Sequence, residues 1–331
     1  MTSPLTIVLS AKAHARYWTR IAAVAPHAVA RVLPSGDERM TALDEIDVIW
    51  STNDMWQDGL IRKLYGTASR ATNLKWFSGS AAGVDQPVFA AIARLGGRVT
   101  SAHVNSIPIA EYVLHGVLDV VRQSALDRAA QARHEWEQRP VIQEIMGTTW
   151  TIVGFGAIGR EVAVRARAFG ATVRSVRRTP SPNDPVDAAY TPDRMGDALS
   201  GADVIVLCAP LDASTANMAD ASFFAACEPG SVFVNVGRGG LVDEDALVRA
   251  LAAGAPARAV LDVTRAEPLP AESPLWAHPQ ITVTPHLAGA GTGNDDRLCE
   301  LFLANLRAFL AGEPLQHDET PRLLASTVNE G

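Results

Sequence analysis

Three side chains of complementary chemistry, Arg238, Glu267 and His286, each stand in a short polar segment that follows a predicted strand. The carboxyl ends of parallel strands line one crevice of a doubly wound sheet. A guanidinium, a carboxylate and an imidazole can therefore converge there, although they are far apart in the sequence. This convergence is the main functional prediction that the residues support.

Hydride transfer to an α-keto acid is the chemistry that suits this set. The planar guanidinium of Arg238 can pair with a substrate carboxylate and polarise the keto oxygen. His286 can give that oxygen a proton, and Glu267 can orient the imidazole and favour its protonated form. Taken singly, each residue also has an ordinary explanation: a surface arginine, a turn before Pro268, or a structural histidine. The hypothesis therefore depends on the three residues acting together.

A glycine-rich turn, Gly-Phe-Gly-Ala-Ile-Gly at 154–159, follows one predicted strand and opens a helix. Gly154 permits the tight turn, Gly156 lets a pyrophosphate approach the backbone, and Gly159 lets helix and strand pack closely. The helix N-terminus at Ala157 and Ile158 adds free N–H groups and a positive dipole. The pattern predicts a dinucleotide site, and the alternative is a chance glycine-rich turn.

Two arginines, Arg177 and Arg178, stand at the end of the second strand of this series, where NAD-binding proteins carry an acid. The next acidic residue along the chain is Asp184. A guanidinium cannot replace the carboxylate, but it can pair with a 2′-phosphate. NADP is therefore the expected cofactor, with NAD still possible, and the alternative is a solvated loop with two arginines.

Short β-branched runs alternate with helical stretches in two series, which predicts parallel sheets of the α/β class. In the first series the predicted strands are 7–10, 46–51, 74–78 and 98–102. The second, clearer series has six: 151–153, 172–176, 204–209, 232–236, 259–263 and 281–284. Six strands make a full dinucleotide-binding sheet.

Helical spacing predicts one long connecting helix from Ile109, followed by an arm that ends near Gln138. A final amphipathic helix, at about 295–310, is expected to pack back on the first domain. The polar residues 313–331 are expected to be partly disordered.

Composition narrows the class of protein. The 331 residues are 47% hydrophobic and 20% charged, which is typical of globular proteins. With 29 Lys and Arg against 36 Asp and Glu, the net charge of −7 disfavours nucleic acid and anionic membranes as partners. The 3 cysteines form no C-x-x-C pattern, so we expect neither disulfides nor a metal site. No targeting or membrane-spanning segment is apparent, so a cytoplasmic location is expected.

Taken together, the motifs resemble those of the D-2-hydroxyacid dehydrogenase family over about residues 70–310. The matching segments are 81–85, 109–111, 154–159, 234–243, 261–270, 273–276 and 284–289. The resemblance implies two doubly wound parallel-sheet domains. A Rossmann cofactor domain with a dimerisation arm, residues 106–287, is inserted into a flavodoxin-like substrate domain formed by residues 1–105 and 288–331.

The family also implies roles for individual residues. Arg238, Glu267 and His286 become the catalytic set, and the backbone N–H groups of Ala82 and Gly83 hold the substrate carboxylate. The remaining implied contacts are Asp262 with the nicotinamide carboxamide, Pro210 and Thr215 beside the adenine, and Trp136 with the partner subunit's active site. Ordinary interface packing is an equally good explanation of Trp136. A homodimer is expected.

Comparison with the branches of the family indicates the substrate and leaves alternative functions open. Formate dehydrogenases of this superfamily have Gln in place of Glu267, and phosphoglycerate dehydrogenases often carry a C-terminal regulatory domain for which this chain has no length. NADP-preferring relatives often reduce glyoxylate or hydroxypyruvate, so these keto acids are favoured. The alternatives are an NAD(P)-sensing corepressor or scaffold without turnover, and a pseudoenzyme that has lost its substrate.

Overall fold

A computed structural model describes residues 4–84, 86–139 and 143–326. Asp85, the last residue of the motif at 81–85, lies outside the described residues, as does the end of the tail from 327 to 331. The chain forms two compact units. The first comprises residues 1–104 and 291–331, and the second comprises residues 105–290.

Each unit is built on a parallel sheet. The first sheet contains β1 (Thr6–Leu9), β2 (Val29–Val32), β3 (Val48–Trp50), β4 (Trp76–Ser78) and β5 (Arg98–Thr100), in the order β2-β1-β3-β4-β5. The second contains β6 (Thr149–Val153), β7 (Thr172–Val176), β8 (Ala188–Tyr190), β9 (Val204–Leu207), β10 (Val232–Asn235), β11 (Arg258–Leu261) and β12 (Ile281–Val283). Its order is β12-β11-β10-β9-β6-β7-β8, so both sheets are doubly wound as predicted.

Helices lie between the strands and after the last of them. In chain order they are α1 (Ala11–Val24), α2 (Asn53–Gln57), α3 (Ile61–Ala68), α4 (Pro87–Arg94), α5 (Ser106–Val121), α6 (Ser124–Ala132), α7 (Ala157–Ala168), α8 (Met195–Leu199), α9 (Ala221–Ala225), α10 (Glu244–Ala253), α11 (Asn294–Ala311) and α12 (Thr320–Ser326). Short 3₁₀ turns lie at Leu43–Glu45, Pro192–Arg194 and Gly239–Leu241. None of the helices in the described ranges combines the length and apolar character that crossing a bilayer needs.

Two strands were absent from the sequence prediction, and both lie at a sheet edge. β2 has no fully buried residue, and Arg31 interrupts its valines. β8 is only three residues long and half-exposed, so neither strand carries the buried β-branched run that marks a central strand. The second sheet therefore has seven strands where six were predicted.

The first unit buries α11 against its sheet and α1, as predicted for the last long helix. Phe302 of α11 stacks on Trp50 and Trp76, with ring centroids 4.4 and 5.2 Å apart. All three side chains are fully buried. Such aromatic pairs add about 0.5–1.5 kcal/mol each beyond area burial. This cluster joins α11 to β3 and β4.

In the second unit, α5 and α7 cover one face of the sheet. Val113 and Val117 of α5 and Val162 of α7 share a buried cluster with β6 and β9. The long helix predicted from 109 is α5, which begins slightly earlier, at Ser106. The helix ends at Val121, because Gln123 adopts a left-handed conformation (φ 58°), and α6 starts afresh at Ser124.

His103 and His317 of the first unit meet edge to face, with ring centroids 4.8 Å apart. Burial lowers the pKa of His103 below its ordinary value of 6.5, and the nearby His317 lowers it further, while Glu319 opposes them. The folded state therefore binds fewer protons than the unfolded state below about pH 6.5. The free energy of unfolding should be greatest above that pH and fall as the pH drops below it.

Urea unfolding at about pH 7.5 and 5.5 checks this linkage. We expect the wild-type midpoint to fall between the two conditions by more than the midpoint of His103→Gln. Equal pH responses of the two proteins would contradict the assignment to His103.

Candidate active site

Three polar loops follow β10, β11 and β12, which are adjacent and parallel in the second sheet. They carry Arg238, Glu267 and His286, respectively. The prediction that these segments leave neighbouring strand ends is thus confirmed.

His286 and Glu267 form a direct pair. His286 Nδ1 lies 2.9 Å from Glu267 Oε2, and the Thr264 N–H donates to Glu267 Oε1 at 3.1 Å. An ionised carboxylate only accepts hydrogen bonds, so Nδ1 carries the hydrogen. Nε2 is then the ring nitrogen left to exchange a proton. About half of the His286 side chain is exposed (50%), so a ligand can reach it.

The backbone at His286 is held in an uncommon conformation by Asp262. His286 has φ 54°, and its N–H donates to the Asp262 carbonyl at 2.9 Å. The buried Asp262 carboxylate accepts the N–H groups of Leu287 and Ala288 at 2.8 and 2.9 Å. These bonds fix the loop after β12 and with it the direction of the imidazole.

A hydroxyl chain extends this anchor into α5. Thr284 Oγ1 donates to Asp262 Oδ1 at 2.7 Å, so Tyr112 must donate to Thr284 Oγ1, 2.6 Å away. Burial is the main cause that raises the pKa of Tyr112 to about 12. The phenol is therefore a neutral donor at physiological pH. Sequence reasoning missed Tyr112, because nothing in a helical pattern reveals a contact with a residue 172 positions away.

Asp262 was expected, from the family resemblance, to contact a nicotinamide carboxamide. Its two oxygens already accept three hydrogen bonds from the chain. A carboxylate offers about four acceptor positions, so Oδ2 keeps room for one more donor.

Arg238 lies on the exposed loop after β10. Its Nη1 donates to the Gly237 carbonyl at 2.8 Å. Asn235 braces the loop from below: its side chain donates to the Arg238 carbonyl and accepts the Gly237 N–H, both at 3.1 Å. The loop is thus preformed, and in the described part of the chain the other guanidinium N–H groups of Arg238 have no protein acceptor.

A cleft of about 420 Å³ opens beside the pair. His286 and Glu267 line it together with the apolar Pro268, Leu269 and Trp276. Arg238 lies in the neighbouring loop, outside this cleft.

Gly239 lets the loops after β10 and β11 touch. A Cβ at this position would overlap the backbone of Thr264 and Arg265. The main chain that carries Arg238 therefore packs directly on the main chain that leads to Glu267.

The turn at 154–159 fits a dinucleotide pyrophosphate. Gly154 has φ 91°, and a Cβ there would overlap the Ala209 backbone, while a Cβ on Gly159 would lie 2.8 Å from the Gly154 carbonyl oxygen. Gly156 faces open space, with no atom within 4 Å of an added Cβ. α7 begins without a side-chain cap, which leaves its first N–H groups to an anion. The turn is tight where the protein packs and open where a phosphate would approach.

The other predicted site residues stand on other segments of the chain. Thr215 Oγ1 donates to the Pro210 carbonyl at 2.7 Å, so these two are neighbours. Trp136 follows α6 and is 92% exposed. Ala82 and Gly83 belong to the first unit, in the loop after β4. Within the described residues, no cluster of three or more His, Cys, Asp or Glu is arranged to hold a metal.

The family model for the "D-isomer specific 2-hydroxyacid dehydrogenase, NAD binding domain" matches residues 114–288. The chain belongs to this family. The match covers the phosphate turn and all three residues Arg238, Glu267 and His286. The protein is therefore an NAD(P)-dependent 2-hydroxyacid oxidoreductase, and its second unit carries the NAD-binding domain.

Individual relatives agree. An (S)-sulfolactate dehydrogenase from Chromohalobacter salexigens is 34% identical over 62% of this chain and 67% of its own length. Glyoxylate/hydroxypyruvate reductase A from Serratia proteamaculans is 33% identical over 61% of this chain and 64% of its own. The crystal structure of a D-isomer specific 2-hydroxyacid dehydrogenase from Xanthobacter autotrophicus Py2, in complex with NADPH and MES, superposes with a TM-score of 0.75. It is 28% identical and covers 97% of this chain and all (100%) of its own.

The neighbouring glycines of the loop after β10 provide a test of the packing between loops. We expect Gly239→Ala to lower the melting temperature by about 4 °C or more, because overpacking against backbone costs about 1–3 kcal/mol. Gly240→Ala is the matched control, since its Cβ would meet only the half-exposed Leu211 side chain, 2.9 Å away. Thermal unfolding of both variants measures the difference, and equal melting temperatures would contradict the close approach at Gly239.

Proposed function

We propose that this dehydrogenase reduces a small 2-keto acid, glyoxylate or hydroxypyruvate, at the expense of NADPH. The observation that carries the proposal is the 2.9 Å hydrogen bond between His286 Nδ1 and Glu267 Oε2, at the ends of adjacent strands. An imidazole oriented by a carboxylate is a general acid that needs only a carbonyl oxygen within reach of Nε2.

In this proposal His286 donates the proton and Glu267 orients and stabilises His286. The bound reduced dinucleotide is the source of the hydride that the carbonyl carbon receives. His286 gives its Nε2 proton to the carbonyl oxygen, which becomes the hydroxyl oxygen of the product. One hydride and one proton add across the C=O bond, so the change balances. Glu267 stabilises the imidazolium before the transfer and keeps the ring in place after it.

Arg238 binds the substrate. Its guanidinium pairs with the carboxylate and polarises the carbonyl oxygen, for which the braced loop at Asn235–Arg238 provides support. Asp262 positions the loop of His286 and offers its last acceptor position on Oδ2 to the nicotinamide carboxamide.

The preference for NADP rests on charge. Arg177 and Arg178 directly follow β7, at the position where a carboxylate would be needed to bind a 2′-hydroxyl. The NADPH in the Xanthobacter relative adds support from a similar protein. The choice of glyoxylate or hydroxypyruvate is supported by the Serratia relative, whereas the Chromohalobacter relative makes sulfolactate the first competing substrate to assay.

Several expectations stay predictions. They are the substrate-carboxylate contacts of the Ala82 and Gly83 N–H groups, the contact of Trp136 with a partner subunit, the adenine contacts of Pro210 and Thr215, the domain boundaries at 105/106 and 287/288, and the homodimer.

Replacement of the proton donor tests the mechanism. We expect His286→Ala to reduce kcat with glyoxylate and hydroxypyruvate by about 10²–10⁴, because proton transfer to the oxygen then depends on water. Glu267→Gln should lose less, since the amide still holds the ring but cannot stabilise the imidazolium. His115→Ala, on the exposed face of α5, is the control and should keep full activity.

Steady-state kinetics with both keto acids, pyruvate and larger keto acids, each with NADPH and NADH, provide the measurement. Near-normal activity of His286→Ala would remove it from the mechanism. A wild-type protein that turns over none of these acids, nor sulfolactate, would instead favour a binding protein that senses the dinucleotide.

A further inference from the structure

A buried carboxylate joins two arginines beside the phosphate turn. Asp184 lies in the loop between β7 and β8, and its side chain is fully buried (0% exposed). Arg160, in the first turn of α7, donates from Nη2 to Asp184 Oδ1 at 2.8 Å. Arg177, just after β7, donates from Nη1 to both carboxylate oxygens at 3.1 and 3.2 Å. The two guanidinium groups thus meet on one anion.

Asp184 is saturated by these contacts. The Ser181 N–H adds a further bond to Oδ2 at 3.2 Å, so four contacts occupy the roughly four acceptor positions of the carboxylate. Being buried and fully bonded, Asp184 cannot serve as the acid that binds a ribose 2′-hydroxyl. Its role is to fix the two arginines.

The arginines keep unused positive charge. Two guanidinium groups against one carboxylate leave a net charge of +1 on the triad. Their side chains are 47% and 33% exposed, respectively. Within the described chain, the Nε and Nη2 groups of Arg177 and the Nε of Arg160 have no protein acceptor. An anion can therefore be bound by N–H groups from both residues.

The position of Arg160 also indicates an anion. A cation in the first turn of a helix opposes the macrodipole and is unfavourable on its own. Asp184 offsets part of this repulsion, and an additional anion would offset the rest. Arg178 is in a different situation, because its charge contributes, after the hydrogen bonds from Ser214, to the low pKa of Asp212. Part of its charge is thus balanced within the protein.

We propose that Arg160 and Arg177 together bind the 2′-phosphate of NADP and that Asp184 is the positioning residue that presents both guanidinium groups. The inference rests on the proposed NADP preference and deepens it by naming a second arginine, from α7, and the anion that aligns the pair. Arg178 then contributes less to binding the 2′-phosphate, although it is the next residue after Arg177.

Binding measurements test this without turnover. We would titrate the protein with NADPH and NADH by ligand fluorescence, and with 2′,5′-ADP and 5′-AMP by calorimetry. Arg160→Gln is expected to weaken NADPH and 2′,5′-ADP about tenfold, since a charge-assisted bond to phosphate is lost, and to leave NADH and 5′-AMP unchanged. Asp184→Asn should reduce the ratio of NADPH to NADH affinity in the same direction, and Arg178→Gln should reduce it less.

Matched controls come from the same helix and loop. Arg167, in the last turn of α7, pairs with Asp187 at 2.7 Å, an ion pair of similar type away from the phosphate turn. Arg167→Gln and Asp187→Asn should leave the affinity ratio unchanged. If Asp184→Asn does not fold, the exposed Arg160→Gln still decides the question.

The possible results separate the ideas. Equal weakening of NADPH and NADH by Arg160→Gln, or no weakening of either, would overturn the proposal and make the triad a structural brace. A wild-type protein that binds NADH as tightly as NADPH would refute the NADP preference itself. A strong NADPH preference that depends on Arg177→Gln but not on Arg160→Gln would keep the cofactor proposal and remove Arg160 and Asp184 from it.

Discussion

The buried carboxylate of Asp262 fixes the geometry on which the rest of the site depends. The carboxylate accepts hydrogen bonds from two backbone N–H groups just after His286 and from the hydroxyl of Thr284. The main-chain carbonyl of Asp262 accepts the N–H of His286. A buried carboxylate is stable only when such donors surround it, so the loop and the anion require each other. The left-handed backbone of His286 persists because this arrangement holds it from both sides.

Main-chain contacts also position the loops after β10 and β11. Thr264 contributes its N–H to Glu267 and its main chain to the contact with Gly239. Thr264 therefore orients the carboxylate of Glu267, which holds the imidazole. It also limits how closely the loop that carries Arg238 can approach. Backbone groups perform this work, so the side chains of the site remain free to act on ligands.

What the sequence could predict follows from how local each signal is. The phosphate turn and the three loops were predictable because the signal is local: glycines or polar residues follow a strand at a characteristic spacing. The edge strands β2 and β8 were missed because their burial pattern is weak. The break at Gln123 has no glycine or proline to announce it. Tyr112 and Asp184 act through burial and through contacts with other elements, which exist only in the folded chain.

The phosphate turn packs Gly154 against the main chain of Ala209, at the end of β9. The floor of the nucleotide site is therefore built into the sheet itself, whereas the groups around its edge are long side chains on the surface. To change which dinucleotide the protein accepts, one would keep the glycine turn and substitute the exposed side chains around it.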